Sequence, residues 1–502
     1  MTYWAAVVAY VAALFRAPLL PLVDYPQHLA MAAIVRRIWT GDAAARALYE
    51  TNLLGYNSLF HVLVAALGAA MSIELAGKLV VAGYVVLSAF AMLQLLDAAE
   101  RPRSRALLLL PLVAGYAFAL GFVNFCLGMS VQLIVLARTL RALREPRPSR
   151  RSALITAALA LVAVYGHVLA VALVDTMIAV ALVSYAATTA ARRASLRAAM
   201  RAAAPLVPSV VYAATVFVLQ GATRVQDDVY TLEEGRAVRL ATKASELLRF
   251  ASGMRADRVD ELVVAAAIAL VSIAAVVRRP RDPGAPQEGL WRGAMALAMF
   301  AAYFALPHVF FASLFIYQRV AVLALLAAFL WAPAPRPTFE RWLDGGAMLV
   351  AIGAAALFFQ LHGAARRELA DVDAAVSAAP PGRRVVGLVF EPYVPSFARR
   401  VLLHVPALYV ARKPGEVAFL FDTRSLPVRR RPERRVPLPP FFELNPQAYD
   451  PRAPYAGYYD LVLMKTPPRV ADPRAAFGPA GPSLPVLARH GAWWLIDTSP
   501  AR

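Results

Sequence analysis

Blocks of 16 to 36 residues, almost free of charge, recur along this chain and leave it few ways to fold. A hydrocarbon core of about 30 Å needs about 20 apolar residues to cross it as a helix, so the blocks are read as membrane spans. The first, 3–23, is long enough to cross and lacks a small-residue cleavage site followed by polar sequence, so it is read as a retained helix. Others fall at about 56–72, 79–96, 106–121, 124–137, 153–165, 168–187, 205–221, 261–277, 294–311, 319–332 and 343–361, giving 11–12 apolar helices, some short. Composition agrees: 60% of residues are hydrophobic and 17% charged, against about 45–50% and about 25% in soluble domains. A soluble enzyme is excluded. The net charge of +20 sits mostly in short links between blocks, as the positive-inside rule expects, which argues against nucleic acid as a partner. Cys126 is the only cysteine, so any part outside the cytosol folds without an intrachain disulfide.

Arginine counts set the orientation. Arg138, Arg141, Arg144, Arg147, Arg150 and Arg151 form one basic link; Arg192, Arg193, Arg197 and Arg201 a second; Arg278, Arg279, Arg281 and Arg292 a third, all placed in the cytoplasm. Counting forward puts 222–260, 307–319 and everything after 363 outside. Counting backward balances only if one block before Arg138, in the pair 106–137 split at 121–124, is re-entrant or short of a full crossing; Asp24 then opens an outer loop. From Gly363 the apolar blocks give way to Pro, Arg and short β-rich runs. The expected architecture is mainly α: a polytopic membrane domain, 1–362, followed by a small soluble α/β domain, 363–502. In the latter, Arg366–Ala378 has helical spacing, 384–390, 460–464 and 493–496 read as strands, and 436–440 as a Pro-rich loop. With no metal cluster, phosphate loop or nucleophile elbow in its sequence, this tail is expected to recognise or cover rather than to catalyse alone.

Asp24-Tyr25-Pro26-Gln27-His28 follows the first span directly. A carboxylate at the rim of a low-dielectric cavity is partly desolvated, which raises its strength as a base; Asp24 with Gln27 also satisfies a capping box, with Pro26 in the first helical turn. His28, one turn on, shares a face with Asp24 or sits at the interface bonded to backbone or headgroup. Asn124 lies between two short blocks, and His167 follows Gly166 inside a 36-residue apolar run; polar groups at that depth favour a site, although a histidine at a turn is also simply solvated. Arg319 opens an apolar helix in an otherwise uncharged region and suits either bidentate phosphate binding or snorkelling to lipid. Lys243 belongs to a mixed-charge stretch, 222–260, with Asp227, Asp228, Glu233, Glu234, Arg236, Arg239 and Arg249, read as an amphipathic helix on the membrane, the alternative being Lys243 or Arg249 as a phosphate ligand.

The D-x-P-x-H loop at 24–28, the G-F-x-N-F stretch at 121–125, the turn histidine His167, many spans and an outer tail resemble the GT-C superfamily of integral membrane glycosyltransferases, within it an uncharacterised bacterial group. The resemblance covers most of the membrane part in layout and about a dozen residues in motif. It implies a bacterial inner-membrane protein that moves a hexose or pentose from a polyprenyl-phosphate donor, with inversion, to a glycan, lipid or protein acceptor at the outer face. It implies a first-loop acid as the base, which maps onto Asp24 alone; the reading of the residues themselves adds His28 to orient it or help bind, and Arg319, His167, Asn124 and Lys243 about the donor phosphate and substrate. Many relatives carry an acidic pair in this loop, whereas here the next acids are Asp42 and Glu50, so neither metal nor cofactor is expected. The competing readings are a transporter or lipid flippase, which calls for internal repeats and intramembrane charge pairs, and a non-catalytic assembly protein, in which Asp24 merely caps a helix.

Overall fold

In lipid only a helix satisfies its own backbone within one segment, and the longest charge-free blocks fold accordingly. The computed structural model describes residues 2–499 apart from 146–147, 189–191, 222–237, 278–289, 311–312, 334, 422–425, 436–437, 440, 468 and 480. Among the described residues, six helical stretches are long and apolar enough to cross a bilayer: Ile73–Ala98, Val123–Ala142, Val168–Thr188, Arg192–Leu219, Val259–Val276 and Pro337–Ala378. Thr2–Leu14, Leu290–Ala305 and Ile316–Trp331 are shorter apolar helices.

The expected dozen is thus not a dozen full spans. Block 56–72 yields only Leu59–Leu67. Block 106–121 breaks into Ala106–Leu109, a tight turn at Leu110–Ala114 and Tyr116–Ala119. Pro111 lacks the N–H that would continue the helix, and the backbone at Gly115 is extended. The pair 106–137 therefore holds one long helix, Val123–Ala142, and one buried, broken segment. Of the mixed-charge stretch, Leu240–Ala251 is helical; Asp227, Asp228, Glu233, Glu234 and Arg236 lie outside the described residues, as do Arg147, Arg278, Arg279, Arg281 and parts of 436–440.

The tail is α/β. Arg366–Ala378 is helical, and five strands form one sheet in the order Gly415–Val417, Arg383–Val389, Leu461–Lys465, Trp493–Asp497, Val486–His490. The first two pairings are parallel and the last two antiparallel. Gly415–Val417 and Val486–His490 were not expected; three residues carry too little alternation to read, and Val486–His490 is an edge strand with mostly polar or exposed positions. Alternation along Leu461–Lys465 sends Leu461 and Leu463 into the apolar cluster shared with the membrane helices, and Val462 and Met464 into an aromatic cluster on the other face. The tail is also stitched to the segment that follows Tyr25–Trp39, where Tyr49–Thr51 pairs antiparallel with Val428–Arg430. Arg412 Nε lies 2.5 Å from a Glu74 carboxylate oxygen.

Candidate active site

Asp24 stands where the chain turns from the first helix into Tyr25–Trp39, and it does not cap that helix: its side chain makes no capping hydrogen bond. Gln27, the expected capping partner, is used elsewhere. Its Nε2 donates to the Phe419 carbonyl at 3.2 Å and its Oε1 accepts from Phe421 N–H at 3.1 Å, clamping the tail over the loop. The Asp24 carboxylate, 15% exposed, instead faces His404 of the tail, with Nε2 3.5 Å from Oδ1. His404 stacks on Phe419, ring centroids 5.4 Å apart, and meets the edge of Phe421.

The 121–125 stretch is the hub that assembles the remaining groups. Gly121 has φ +81°, and a Cβ there would come within 2.9 Å of the backbone nitrogens of Asp24 and Tyr25, so only glycine lets the two segments meet. Phe122 and Phe125 lie against the Arg319 guanidinium, Cζ being 4.0 and 5.4 Å from their ring centroids. Asn124 Oδ1 accepts from Phe60 N–H at 2.8 Å, leaving its Nδ2 to face His61 Nδ1 at 3.4 Å. His61 then presents Nε2 to His28 Nδ1 at 2.9 Å. The expected partner of His28 is thus corrected from Asp24 to His61, because the helix turns the imidazole toward Leu59–Leu67.

His167 has an extended backbone between Arg150–Gly166 and Val168–Thr188. Its position depends on the close approach of Gly166 and Gly128, where a Cβ on either would meet the other helix at under 3 Å. Arg319 Nη1 meets His167 Nε2 at 3.2 Å, and Nη2 donates to the Leu314 carbonyl at 3.0 Å. Leu169 N–H meets His167 Nδ1 at 3.2 Å. A neutral imidazole has one lone pair for these two donors, and Arg319 Nε is buried with no hydrogen-bond partner. The cluster is short of acceptors, a deficit that an anion would fill.

Burial pushes the Asp24 carboxyl up to about 8, partly offset by the charge of Arg319. His28 is pushed down to about 3 by burial, and His404 to about 3 by burial and then by His28. At neutral pH the rings are uncharged, and Asp24 sits between neutral imidazoles on one side and a fixed cation on the other. Lys243 is placed differently from expectation. Its ammonium donates to the Phe304 and Leu306 carbonyls at 2.8 and 2.6 Å, at the carboxyl end of Leu290–Ala305, where unpaired carbonyls and the helix dipole hold a cation. Sequence reading missed His61, His404 and Arg399. Arg399 lies 4.4 Å above the Tyr116 ring and donates from Nε to the Gly253 carbonyl at 3.1 Å. His61, alone within an apolar block, carried the same signal as His167; nothing local marks the other two. Among the described residues no three His, Cys, Asp or Glu side chains are grouped to hold a metal ion.

Gly121→Ala is expected to destabilise the chain by about 1–3 kcal/mol, because it adds both a strained φ and a backbone clash. A thermal melt of the detergent-solubilised protein measures this, with Gly83→Ala, mid-helix and with nothing within 4 Å of its Cβ, as the control that is not destabilised and gains a little from helix propensity.

No family model and no curated protein matches this sequence. A solved structure does: ArnT from Cupriavidus metallidurans in the apo state aligns over 99% of this chain and 96% of its own, with a TM-score of 0.57 at 14% identity. The chain therefore shares the fold of that structure, a polytopic helical domain followed by a small sheet-bearing tail.

Proposed function

We propose that the chain transfers a sugar from a polyprenyl-phosphate donor to an acceptor at the outer face of the bacterial inner membrane. The observation that carries this reading is the pairing of an uncapped, partly buried carboxylate, Asp24, with an acceptor-poor Arg319–His167 cluster on the same 121–125 hub. Asp24 takes the proton of the acceptor as its oxygen or nitrogen attacks the anomeric carbon. The anomeric C–O bond to phosphate breaks with inversion, and Arg319 and His167 receive the charge gathering on the leaving phosphate. The neutral chain Asn124–His61–His28 keeps competing charge away from Asp24, so the carboxyl retains a high proton affinity, close to that of an efficient base at working pH. His404 brings the tail to the carboxylate, giving the outer domain a covering role. The fold shared with ArnT supports the reaction class.

The test is transfer by the purified full chain in nanodiscs, offered a panel of labelled polyprenyl-phosphate sugars and total envelope lipid and glycan as acceptors. Label moving to an acceptor, with free polyprenyl phosphate released in equal amount, is expected; no release from any donor counts against the proposal. The rate is also expected to rise with pH along a limb of apparent pKa near 8, as Asp24 ionises. A profile flat from pH 6 to pH 9 would remove Asp24 from the role of base.

A further inference from the structure

A second polar site lies at the other end of the molecule. Along Val123–Ala142 the axis runs about 21 Å from Asn124 to Arg138. There the end of that helix, the start of Arg150–Gly166 and the end of Arg192–Ala203 surround a pocket of about 320 Å³, large enough for a small ligand. Arg138, Arg150 and Arg201 line it together with Ser152, Thr139 and Thr156, and no Asp or Glu is among its lining residues. Arg138 is held in place: its Nε donates to Thr156 Oγ1 at 2.9 Å, and its Nη2 to Ser152 Oγ at 3.0 Å and the Ser152 carbonyl at 3.1 Å. Thr139 is 1% exposed, and its hydroxyl has no hydrogen-bond partner. Three arginines line this pocket, Arg138 fixed and Arg150 and Arg201 at its exposed side, with no carboxylate among the lining residues, a surround that suits an oxyanion.

We propose that this pocket holds the phosphate of an anionic lipid in the leaflet facing the arginine-rich links. The lipid source is favoured over free phosphate by the surface next to the cations. Leu154 lies one turn beyond Arg150 on the same helix face and is 72% exposed; Leu161, two turns further, is 36% exposed. A headgroup seated among the arginines thus has an apolar track for its acyl chain running toward the membrane centre. The site is independent of the transfer reaction and stands whether or not that reaction is right.

The experiment is thermal unfolding of the full chain in neutral detergent, titrated with phosphatidylglycerol, phosphatidylcholine or inorganic phosphate. Phosphatidylglycerol is expected to raise the midpoint and phosphatidylcholine to leave it unchanged. In Arg150→Gln/Arg201→Gln the apparent Kd for phosphatidylglycerol is expected to weaken about thirtyfold, about fivefold for each cation removed near an anionic headgroup. Arg150→Lys/Arg201→Lys is expected to retain most of the response, which separates loss of charge from loss of fold. A phosphatidylglycerol shift as large in the glutamine variant as in the wild type overturns the site. Inorganic phosphate alone giving the full shift, lost in that variant, overturns the lipid assignment in favour of a soluble anion.

Discussion

Asp24→Asn is expected to yield a protein that inserts and folds yet transfers sugar about 10³-fold more slowly, the order of effect of removing a positioned general base. The same substitution is expected to move stability the other way. Burial raises the carboxyl of the folded chain to about 8, against about 4 for an unperturbed aspartate. Between those values the unfolded chain has released the proton and the folded chain still holds it, so the wild type loses stability as pH climbs from about 4 to about 8. Asparagine cannot ionise. The variant's melting midpoint therefore falls less over that range and exceeds the wild type's at pH 8. A residue that merely held the loop together would lower activity and stability in step; loss of turnover with a gain in alkaline stability is the signature of a functional carboxylate. Paired kinetics and melts at pH 6 and pH 8 check both signs.

Arg319 is expected to show the second large effect. Its guanidinium is sandwiched against Phe122, bonded to the Leu314 carbonyl and set beside His167, with Nε still unpartnered. That planar arrangement presents donors in fixed directions before any anion arrives, the condition under which electrostatic stabilisation contributes most to rate. Arg319→Gln is expected to reduce kcat about 10²–10³-fold. Arg319→Lys is expected to fall nearly as far, because an ammonium on a flexible stem neither stacks on Phe122 as a plane nor donates as a fork. Retention of more than half the wild-type kcat by the lysine variant would show that a point charge suffices and that the fork geometry is incidental.

The sequence discloses the parts of this arrangement that are local. Charge-free runs announce helices because a lipid environment forbids most alternatives, and the strands at 383–389, 461–465 and 493–497 follow from short, nearly continuous apolar runs, the pattern of strands buried on both faces. Asp24, Asn124, His167 and Arg319 stand out because polar groups are conspicuous against apolar surroundings. What the sequence hides is pairing. Gln27 clamps residues 419 and 421, nearly four hundred positions away, and His404 reaches Asp24 across a similar distance; no periodicity encodes such contacts. His28 faces His61 rather than Asp24 because tertiary packing sets the direction of the imidazole. The segment 106–121, apolar throughout, reads as a span, yet Pro111 and Gly115 break it and the surrounding helices bury it. Lys243 reads as a phosphate ligand from charge alone, while the carboxyl end of a neighbouring helix supplies the carbonyls that take its protons.

The central claim is that the Arg319–His167 cluster beside Asp24 receives the donor phosphate. A cryo-electron microscopy map of the full chain in nanodiscs loaded with a non-hydrolysable polyprenyl-phosphate sugar addresses it directly. The expected map shows the phosphate within hydrogen-bond reach of Arg319 Nε or Nη1, with the anomeric carbon on the Asp24 side. Phosphate density away from Arg319, with the cluster unchanged and Asp24 out of reach of the sugar, would contradict it.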